Sequence, residues 1–279
     1  MKIEIKDEDL IVKDIKCFDL KTTVLCGQAF RWSETADGIM QAVVKGEVLS
    51  VQQTKNELIF KNTSKEKFES EWCEYFDLNT NYHEICQTLK SDVHLKNATE
   101  EFYGIRILKQ DKWETLCSFI ISQNNNIPRI MKIINSLCEN FGEKIANGAY
   151  SFPTAEKIAS LTLDEIGIIK SGFRGKYILD AAQKIASGEI DLSEIENMSL
   201  QETEQTLMKI KGVGPKVAAC VALFGFYKVD AFPIDVWVKK IMSELYPDGL
   251  PACTKGIEGI AQQYLFHWRR NSLCFDVCE

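Results

Sequence analysis

At residues 200–240 the chain reads LQETEQTLMKI, KGVG and PKVAACVALFGFYKVDAFPIDVWVKK, and the rest of the sequence is organised around this stretch. The first part has a helix-forming composition and stops at Gly212-Val213-Gly214, where the glycines allow positive φ and close backbone approach. Pro215 suits the first position of a second helix because it lacks the amide that would be unpaired there. So tight a turn directs free amides outward from a helix N-terminus, which suits a phosphate. The sequence therefore predicts a helical hairpin that binds a phosphate through backbone amides.

Two side chains beyond the hairpin have the chemistry of a catalytic pair. Lys216 lies in the first turn of the second helix, with Cys220 one turn later on the same face. Burial and the positive end of the helix dipole both favour the neutral, nucleophilic amine. Asp235 follows Phe232-Pro233-Ile234 where a third helix should begin, a position that favours an ionised carboxylate.

Taken alone, a Gly-x-Gly turn or a lysine in a first helical turn is usually structural. The hairpin, Lys216 and Asp235 at this spacing resemble the catalytic motif of the helix-hairpin-helix DNA glycosylases, in the branch whose lysine makes them both glycosylases and lyases. The resemblance implies that Lys216 is the nucleophile and that Asp235 stabilises positive charge developing on the sugar.

Composition limits the function without choosing it. A chain of 279 residues, 45% of them hydrophobic, can bury a core and form two or three domains. A net charge of -7 is evidence against a general nucleic-acid binder, although not against a protein that grips a few phosphates with backbone amides. The N-terminus alternates charges and no apolar run reaches eighteen residues, so we expect an intracellular protein without a membrane partner.

The ten cysteines contain no Cys-x-x-Cys pair. Cys220, Cys253, Cys274 and Cys278 have neither zinc spacing nor the tight C-terminal cluster of an iron-sulfur centre. We therefore expect reduced thiols, no iron-sulfur cluster and no required cofactor.

The periodicity predicts an α+β protein. Short extended runs at 28–32, 39–45, 47–53 and 57–61 predict an antiparallel sheet, and helical patterns at 65–76, 82–89 and 95–103 follow it. From Lys112 onward nearly everything reads as helix, including 113–122, 128–141, 174–186 and 254–270. The predicted domains are 1–109, an antiparallel sheet with helices, and 110–279, a mostly helical helix-hairpin-helix glycosylase region, which could form two subdomains with the active-site cleft between them.

Two further segments resemble the 8-oxoguanine glycosylases. In CGQAFRW (26–32), the family's glycine carbonyl accepts a hydrogen bond from N7-H of the damaged base, a proton that guanine lacks, and this role falls on Gly27. The second segment is SFIISQNNNIPRI (118–130). The resemblance implies that Asn124 fills the space vacated by the extruded base and that Arg129 contacts the estranged cytosine. A glycine that merely lets a strand bend and an asparagine-rich loop are the structural alternatives.

The same resemblance assigns the remaining DNA contacts. It implies that Phe173 is an aromatic wedge, at a position where well-known family members have tyrosine, and core packing is the alternative for this residue. It also implies that Arg174 makes a second contact with the cytosine. Because phenylalanine lacks the tyrosine hydroxyl, the sequence leaves open how strictly the protein requires cytosine opposite the lesion. Phosphate contacts fall on the hairpin and on the position of Trp237, where family members often have histidine, and whether tryptophan replaces that ligand stays open. A monovalent or divalent cation could bind the carbonyls of Met208, Ile210 and Val213.

The base pocket completes the resemblance. Gln262 and Phe266 lie four residues apart on one face of the last helix, and a base that is turned out of a duplex needs an amide and a stacking ring. In the family they bind the Watson-Crick edge and stack on the base, while Cys220 closes the other side and Pro233 lines the pocket.

The implied function is excision of 8-oxoguanine from duplex DNA through a lysine imine, followed by β-elimination at the abasic site, by a monomeric repair enzyme. Three alternatives stay open. A glycosylase for alkylated bases would hydrolyse without Lys216. A non-catalytic DNA-binding module would explain the hairpin alone, and an ordinary intracellular protein would use all these positions for packing. Matching segments at four separated places favour the glycosylase-lyase.

Overall fold

The chain folds as a mixed α+β protein, described from a computed structural model that covers residues 1–55 and 57–275, with side chains through residue 271. Its six strands are β1 Lys2–Lys6, β2 Asp9–Lys13, β3 Ser33–Glu34, β4 Met40–Val44, β5 Glu47–Gln53 and β6 Glu57–Phe60. The helices of the first 110 residues are α1 Leu20–Leu25, α2 Lys65–Lys67, α3 Cys73–Tyr75, α4 Tyr82–Leu89 and α5 Val93–Glu101, with a π-helical turn at Phe68–Trp72 between α2 and α3.

Helices dominate the rest of the chain. They are α6 Lys112–Ser122, α7 Ile127–Phe141, α8 Ala155–Ala159, α9 Leu163–Ile166, α10 Gly175–Ala186, α11 Leu192–Ile195, α12 Leu200–Leu207, α13 Pro215–Phe226, α14 Val236–Leu245 and α15 Glu258–Phe275. Short 3-10 turns occur at Ala146–Gly148, Gly167–Ile169, Gly172–Arg174 and Ala252–Thr254. No helix among the described residues is both long enough and apolar enough to span a membrane.

The chain divides into two compact units, each made of separate segments. The first unit comprises Met1–Gln28, Val51–Lys109 and Tyr227–Glu279, and the second comprises Ala29–Ser50 and Gln110–Phe226. The chain leaves the first unit after Lys109, where the sequence predicts a domain boundary. The segment 227–279, which the sequence grouped with the helical region, instead belongs to the unit that contains the N-terminus.

Long-range contacts explain why the C-terminal helices belong to the first unit. α15 packs on α5, and α14 packs on α15. The Tyr264 hydroxyl donates to the Ile105 carbonyl at 3.0 Å, and the Tyr246 hydroxyl donates to Asp92 at 2.6 Å. Hydrophobic periodicity reveals that such helices are buried but not which surface they cover.

The strands follow the order β1-β2-β6-β5-β4-β3. β2 pairs antiparallel with β6 in the register Leu10↔Phe60 and Val12↔Leu58, and these four side chains are all buried. In the first unit, Phe60 meets Phe68 edge-on at 5.0 Å between ring centroids, so the face of the sheet that carries Phe60 packs against the helical segment that follows it.

One predicted strand is wrong. Residues 28–32 form no ladder, although Gln28, Phe30 and Trp32 are buried while Ala29 and Arg31 are half-buried. The segment is irregular, but it buries every second side chain and so has the alternation of a strand. β3 begins only at Ser33. The strands predicted at 39–45, 47–53 and 57–61 are confirmed to within one residue.

In the second unit, α13 lies at the centre. α6 and α12 pack on it, and every residue from Val217 to Phe226 is buried. Phe119 of α6 stacks on Phe224 of α13 with ring centroids 5.3 Å apart. The predicted hairpin therefore leads into a helix that is buried from Val217 to its last residue.

Candidate active site

The hairpin forms as predicted, and its two glycines have different structural roles. The Val213 amide donates to the Ile210 carbonyl at 3.0 Å, closing the turn before α13 begins at Pro215. Gly212 has φ +81, and a Cβ placed there would lie 2.4 Å from the Tyr177 ring. At Gly214 a Cβ would meet nothing within 4 Å. Gly212 is thus required by the fold, whereas Gly214 leaves open space where a phosphate can approach.

Two side chains of helix α10 contact the hairpin and support it. Asp180 accepts a hydrogen bond from the Lys211 amide at 2.7 Å, and the Tyr177 ring fills the space beneath Gly212. Sequence reasoning did not identify either residue. The only sequence signal is a polar residue on α10, and thirty-one positions separate it from its partner.

Lys216 lies in the first turn of α13 and is half-buried. Its Nζ is 5.6 Å from the centroid of the Phe119 ring, so the amine rests against an aromatic face. Cys220, one turn later, is buried. The amine therefore lies against an aromatic face at the start of α13, partly withdrawn from solvent.

Asp235 belongs to the first unit and caps helix α14. Its carboxylate accepts hydrogen bonds from the Trp237 amide at 2.9 Å and the Val238 amide at 2.8 Å. Both amides belong to the first turn of α14, so Asp235 is the N-cap of that helix. Ile234, Val236 and Trp237 around it are exposed, Val236 to 77%. The carboxylate is thus held in place by its own helix, beside apolar side chains that are available to a ligand.

Two predicted pocket residues lie together in the first unit. Gln262 is 5% exposed, and its Nε2 lies 3.5 Å from the Pro233 carbonyl oxygen. Gln263, which the sequence reasoning missed, donates through Nε2 to Gln262 Oε1 at 2.9 Å. This contact fixes the direction in which the Gln262 amide points. Phe266, half-buried one turn later, has the Arg270 guanidinium 5.2 Å from its ring centroid.

The Gly27 segment is joined to the same helix. Gly27 has φ +96, which glycine adopts without strain. On one side, the Cys26 thiol donates to Gln263 Oε1 at 3.4 Å, and burial raises the pKa of Cys26 to about 11, so it remains a donor at neutral pH. On the other side, buried Gln28 donates to the Arg106 carbonyl at 2.7 Å and accepts from the Leu108 amide at 2.9 Å. Gly27 is thus held between two buried anchors.

Each of the three consecutive asparagines has its own place in the second unit. Asn124 has φ +46 and is exposed. Asn125 donates to the Ile121 carbonyl at 3.1 Å at the end of α6, and Asn126 caps α7 by accepting from the Arg129 amide at 3.0 Å. Asn125 and Asn126 are thus tied to helix ends while Asn124 is exposed, and its insertion into a gap in DNA stays a prediction.

Of the other predicted DNA contacts, two are accessible and one is not. Phe173 is 47% exposed and Arg129 is exposed, but Arg174 is only 3% exposed. Its guanidinium bonds to the backbone of the asparagine loop. The predicted cytosine contact of Arg174 stays a prediction.

Two family models match consecutive parts of the chain. Residues 10–116 match the 8-oxoguanine DNA glycosylase N-terminal domain, and residues 117–251 match the HhH-GPD superfamily of base excision DNA repair proteins. The chain belongs to the 8-oxoguanine DNA glycosylases. It is thus similar in its N-terminal part, and not only at the hairpin, to proteins of this family.

Relatives of this glycosylase family extend the match. The Saccharomyces cerevisiae N-glycosylase/DNA lyase is 40% identical over 51% of this chain, a match that spans 42% of the yeast protein. The Arabidopsis thaliana N-glycosylase/DNA lyase OGG1 is 30% identical over 82% of this chain and 67% of its own length. The Clostridium acetobutylicum 8-oxoguanine glycosylase/lyase, solved with duplex DNA containing cytosine opposite 8-oxoguanine, is 39% identical, covers 98% of both chains and superposes with a TM-score of 0.91.

Proposed function

We propose that this chain is a DNA glycosylase and lyase that removes 8-oxoguanine from duplex DNA and then cleaves the strand at the abasic site. The observation that carries the proposal is Lys216, which follows a phosphate-binding hairpin at the start of α13 and rests on the Phe119 ring. A non-catalytic DNA-binding module needs the hairpin but has no use for a partly buried amine one residue beyond Pro215.

The reaction begins when Lys216 Nζ attacks C1′ of the extruded nucleotide and the C1′–N9 bond breaks. Positive charge grows on the sugar as the base departs, and the ionised Asp235 stabilises it. The departing base takes up a proton, and loss of a proton from the amine with ring opening leaves an imine between Lys216 and C1′. Removal of a C2′ proton then expels the 3′ phosphate by β-elimination.

Base recognition follows from donors and acceptors. The Gly27 carbonyl accepts N7-H, which is present in 8-oxoguanine and absent in guanine. Gln262 binds the Watson-Crick edge, with its amide oriented by Gln263, and Phe266 stacks on the base from one side. The family resemblance assigns Cys220 and Pro233 the remaining contacts with the base.

The remaining residues bind the DNA phosphates and fill the gap left by the extruded nucleotide. Gly212, Val213 and Gly214 present backbone amides to a phosphate, and Trp237 offers an indole N–H where the family has histidine. Asn124 and Phe173 enter the gap left by the extruded nucleotide, and Arg129 and Arg174 read the estranged cytosine. Few of these contacts need net positive charge, which is compatible with a chain of charge -7.

The chemistry requires no cofactor. The carbonyls of Met208, Ile210 and Val213 are suited to a hard cation, and the Ile210 carbonyl accepts one hydrogen bond, which leaves it a second lone pair. A cation there would add positive charge near the bound phosphate. In the part of the chain that the structure describes, no cluster of three or more acidic, histidine or cysteine side chains is suited to a metal. The Cys274 side chain and Cys278 lie outside the described residues. We further propose a monomer that acts inside the cell, where its DNA substrate is.

Borohydride trapping tests the proposal on a duplex with one 8-oxoguanine opposite cytosine. Wild type should give a stable protein-DNA adduct, because borohydride reduces the imine, and Lys216→Gln should give none. Lys209→Gln is the matched control, since Lys209 is an exposed lysine of the same hairpin, and it should trap like wild type. Base release without an adduct in wild type would point to a hydrolytic glycosylase, such as one for alkylated bases. Binding without release would point to a non-catalytic module.

A further inference from the structure

Two thiols of the first unit are in contact although 69 positions separate them in the sequence. Cys17 precedes α1 and Cys86 lies in α4, and their Sγ atoms are 3.4 Å apart. The Tyr264 hydroxyl oxygen lies 3.4 Å from Cys86 Sγ and 3.8 Å from Cys17 Sγ. Both cysteines are free thiols with buried side chains. A small approach of the two sulfurs is therefore enough to reach the roughly 2 Å of a disulfide bond.

A buried cation and a hydrogen-bond donor favour the thiolate of Cys17. Arg106 Nε donates to the Cys17 carbonyl at 3.0 Å, and Nη2 donates to the Lys16 carbonyl at 2.9 Å, so the guanidinium lies beside this residue. The hydrogen bond from Cys86 lowers the pKa of Cys17 to about 7, with help from Tyr264 and Arg106 and against the effect of burial. The same hydrogen bond raises the pKa of Cys86. The pair thus contains one reactive thiolate and one protonated thiol.

A cavity of about 590 Å³ in the first unit reaches one of the two thiols. It is lined by residues 12–18 and 53–55 and by Tyr103, whose side chain is 40% exposed. Cys17 is one of these lining residues, whereas Cys86 is fully buried. A small, uncharged oxidant that enters the cavity therefore meets Cys17 first. Reactive cysteines of this kind often have a second cysteine next to them that resolves the oxidised form.

We propose that Cys17 and Cys86 are a peroxide-reactive thiol pair, in which a hydroperoxide oxidises Cys17 and Cys86 then closes a disulfide that ties the segment before α1 to α4. The Cys17 thiolate attacks one oxygen of hydrogen peroxide, the O–O bond breaks, and the hydroxide that leaves takes up a proton to become water. Cys17 is now a sulfenic acid. Cys86 Sγ attacks Cys17 Sγ, the S–O bond breaks, and the hydroxide leaves as water with the Cys86 proton. The peroxide is reduced by two electrons and the two thiols are oxidised to one disulfide.

Peptide mapping of the native, full-length protein tests the pair. Reduced protein is treated with hydrogen peroxide at about pH 8, above the pKa of Cys17, and its remaining thiols are then blocked with N-ethylmaleimide during unfolding. Mass spectrometry should find the Cys17 and Cys86 peptides joined, two hydrogens lighter than the separate peptides, and dithiothreitol should release them. Cys26, Cys117 and Cys138 should remain thiols at the same dose, because burial raises the pKa of each.

Two variants separate the attacking thiol from the resolving thiol. Cys86→Ser keeps a hydrogen-bond donor next to Cys17 but has no sulfur, so Cys17 should stop at the sulfenic acid, which dimedone traps. Cys17→Ser should give no dimedone adduct at Cys86. Cys73→Ser is the matched control, since Cys73 is another buried cysteine of the first unit, and it should leave the cross-link unchanged.

Thermal unfolding measures whether the bond ties the two segments together. The cross-link closes a loop of 69 positions, so oxidised wild type should unfold roughly 5 °C or more above the reduced protein, and Cys86→Ser should show no such shift. Equal unfolding temperatures of the reduced and cross-linked protein would overturn the proposal. It would also be overturned if both thiols stayed free at a dose that oxidises the unfolded chain, if Cys17 paired with another cysteine, or if dimedone labelled Cys86 in Cys17→Ser.

Discussion

At the scale of single residues, the two hairpin glycines separate stability from binding. Gly212→Ala places a methyl group 2.4 Å from the Tyr177 ring at φ +81, so we expect a loss of about 1–3 kcal/mol in the free energy of unfolding. Gly214→Ala meets no atom within 4 Å, so its stability should stay within about 0.5 kcal/mol of wild type. Its methyl group would instead obstruct a phosphate and weaken DNA binding.

Urea unfolding and DNA titration measure both quantities for both variants. A Gly214→Ala protein that binds DNA like wild type would contradict the placement of a phosphate at this turn. A Gly212→Ala protein with wild-type stability would contradict the packing on Tyr177.

Residues that act locally could be predicted from the sequence, and those that act at long range could not. Pro215, Lys216 and Asp235 depend on helix starts that neighbouring residues encode. Gln263 and Arg174 have their roles because of partners far away in the sequence, at Cys26 and at Gln123 and Asn124. A glutamine or arginine in a helical pattern carries no local sign of such a partner.

At the scale of secondary-structure elements, the cap of α14 allows the charge and the fold contributions of Asp235 to be separated. Asparagine also accepts hydrogen bonds from helix-start amides, so Asp235→Asn should keep α14 intact. Removal of the charge should slow excision by roughly a hundredfold or more. Asp235→Ala loses the cap as well and should lower the free energy of unfolding by about 1 kcal/mol.

Thermal unfolding and single-turnover excision are the two measurements for these variants. If Asp235→Asn retained the wild-type rate, the electrostatic role of Asp235 would be untenable. If Asp235→Ala unfolded at the wild-type temperature, the hydrogen bonds to Trp237 and Val238 would contribute nothing to stability.

Most helices lie where periodicity places them, and the errors have local causes. The last helix starts at Glu258 and not at Thr254, because Ala252–Thr254 forms a 3-10 turn and Gly256 has φ +80. α1 was missed because its six residues are too few to show a period, and a single cap from Asp19 starts it.

At the level of the whole molecule, two half-buried groups give the free energy of unfolding opposing pH dependences. Burial raises the pKa of Glu114 to about 7 from 4.5, with Arg31 opposing the shift. The folded state therefore favours the protonated acid, and this contribution is lost as pH rises from about 4.5 through 7. Burial and the charge of Arg270 lower the pKa of His267 to about 4 from 6.5. That contribution is present above pH 6.5 and is lost as pH falls towards 4.

Each shift corresponds to at most about 3 kcal/mol, so wild type should show little net slope between pH 5 and 7. Glu114→Gln keeps an acceptor for Arg31, and its free energy of unfolding should rise with pH over this range. His267→Gln should show the reverse, and the double variant should be flat. Urea unfolding at pH 5, 6 and 7 measures these slopes, and equal slopes in the two single variants would contradict both assignments.

Residues that are close together in the sequence encode the local chemistry of this protein: the hairpin, the lysine at a helix start, the capping aspartate and the exposed asparagine between two helices. Each depends on residues within about one helical turn, where backbone geometry and capping leave few alternatives. Long-range packing places 227–279 with the N-terminal segment, anchors the irregular segment 26–32 and buries Arg174. Those features depend on contacts between residues up to some 240 positions apart, as between Cys26 and Gln263. Burial of one surface against another selects such pairs, and no local pattern encodes which surfaces meet.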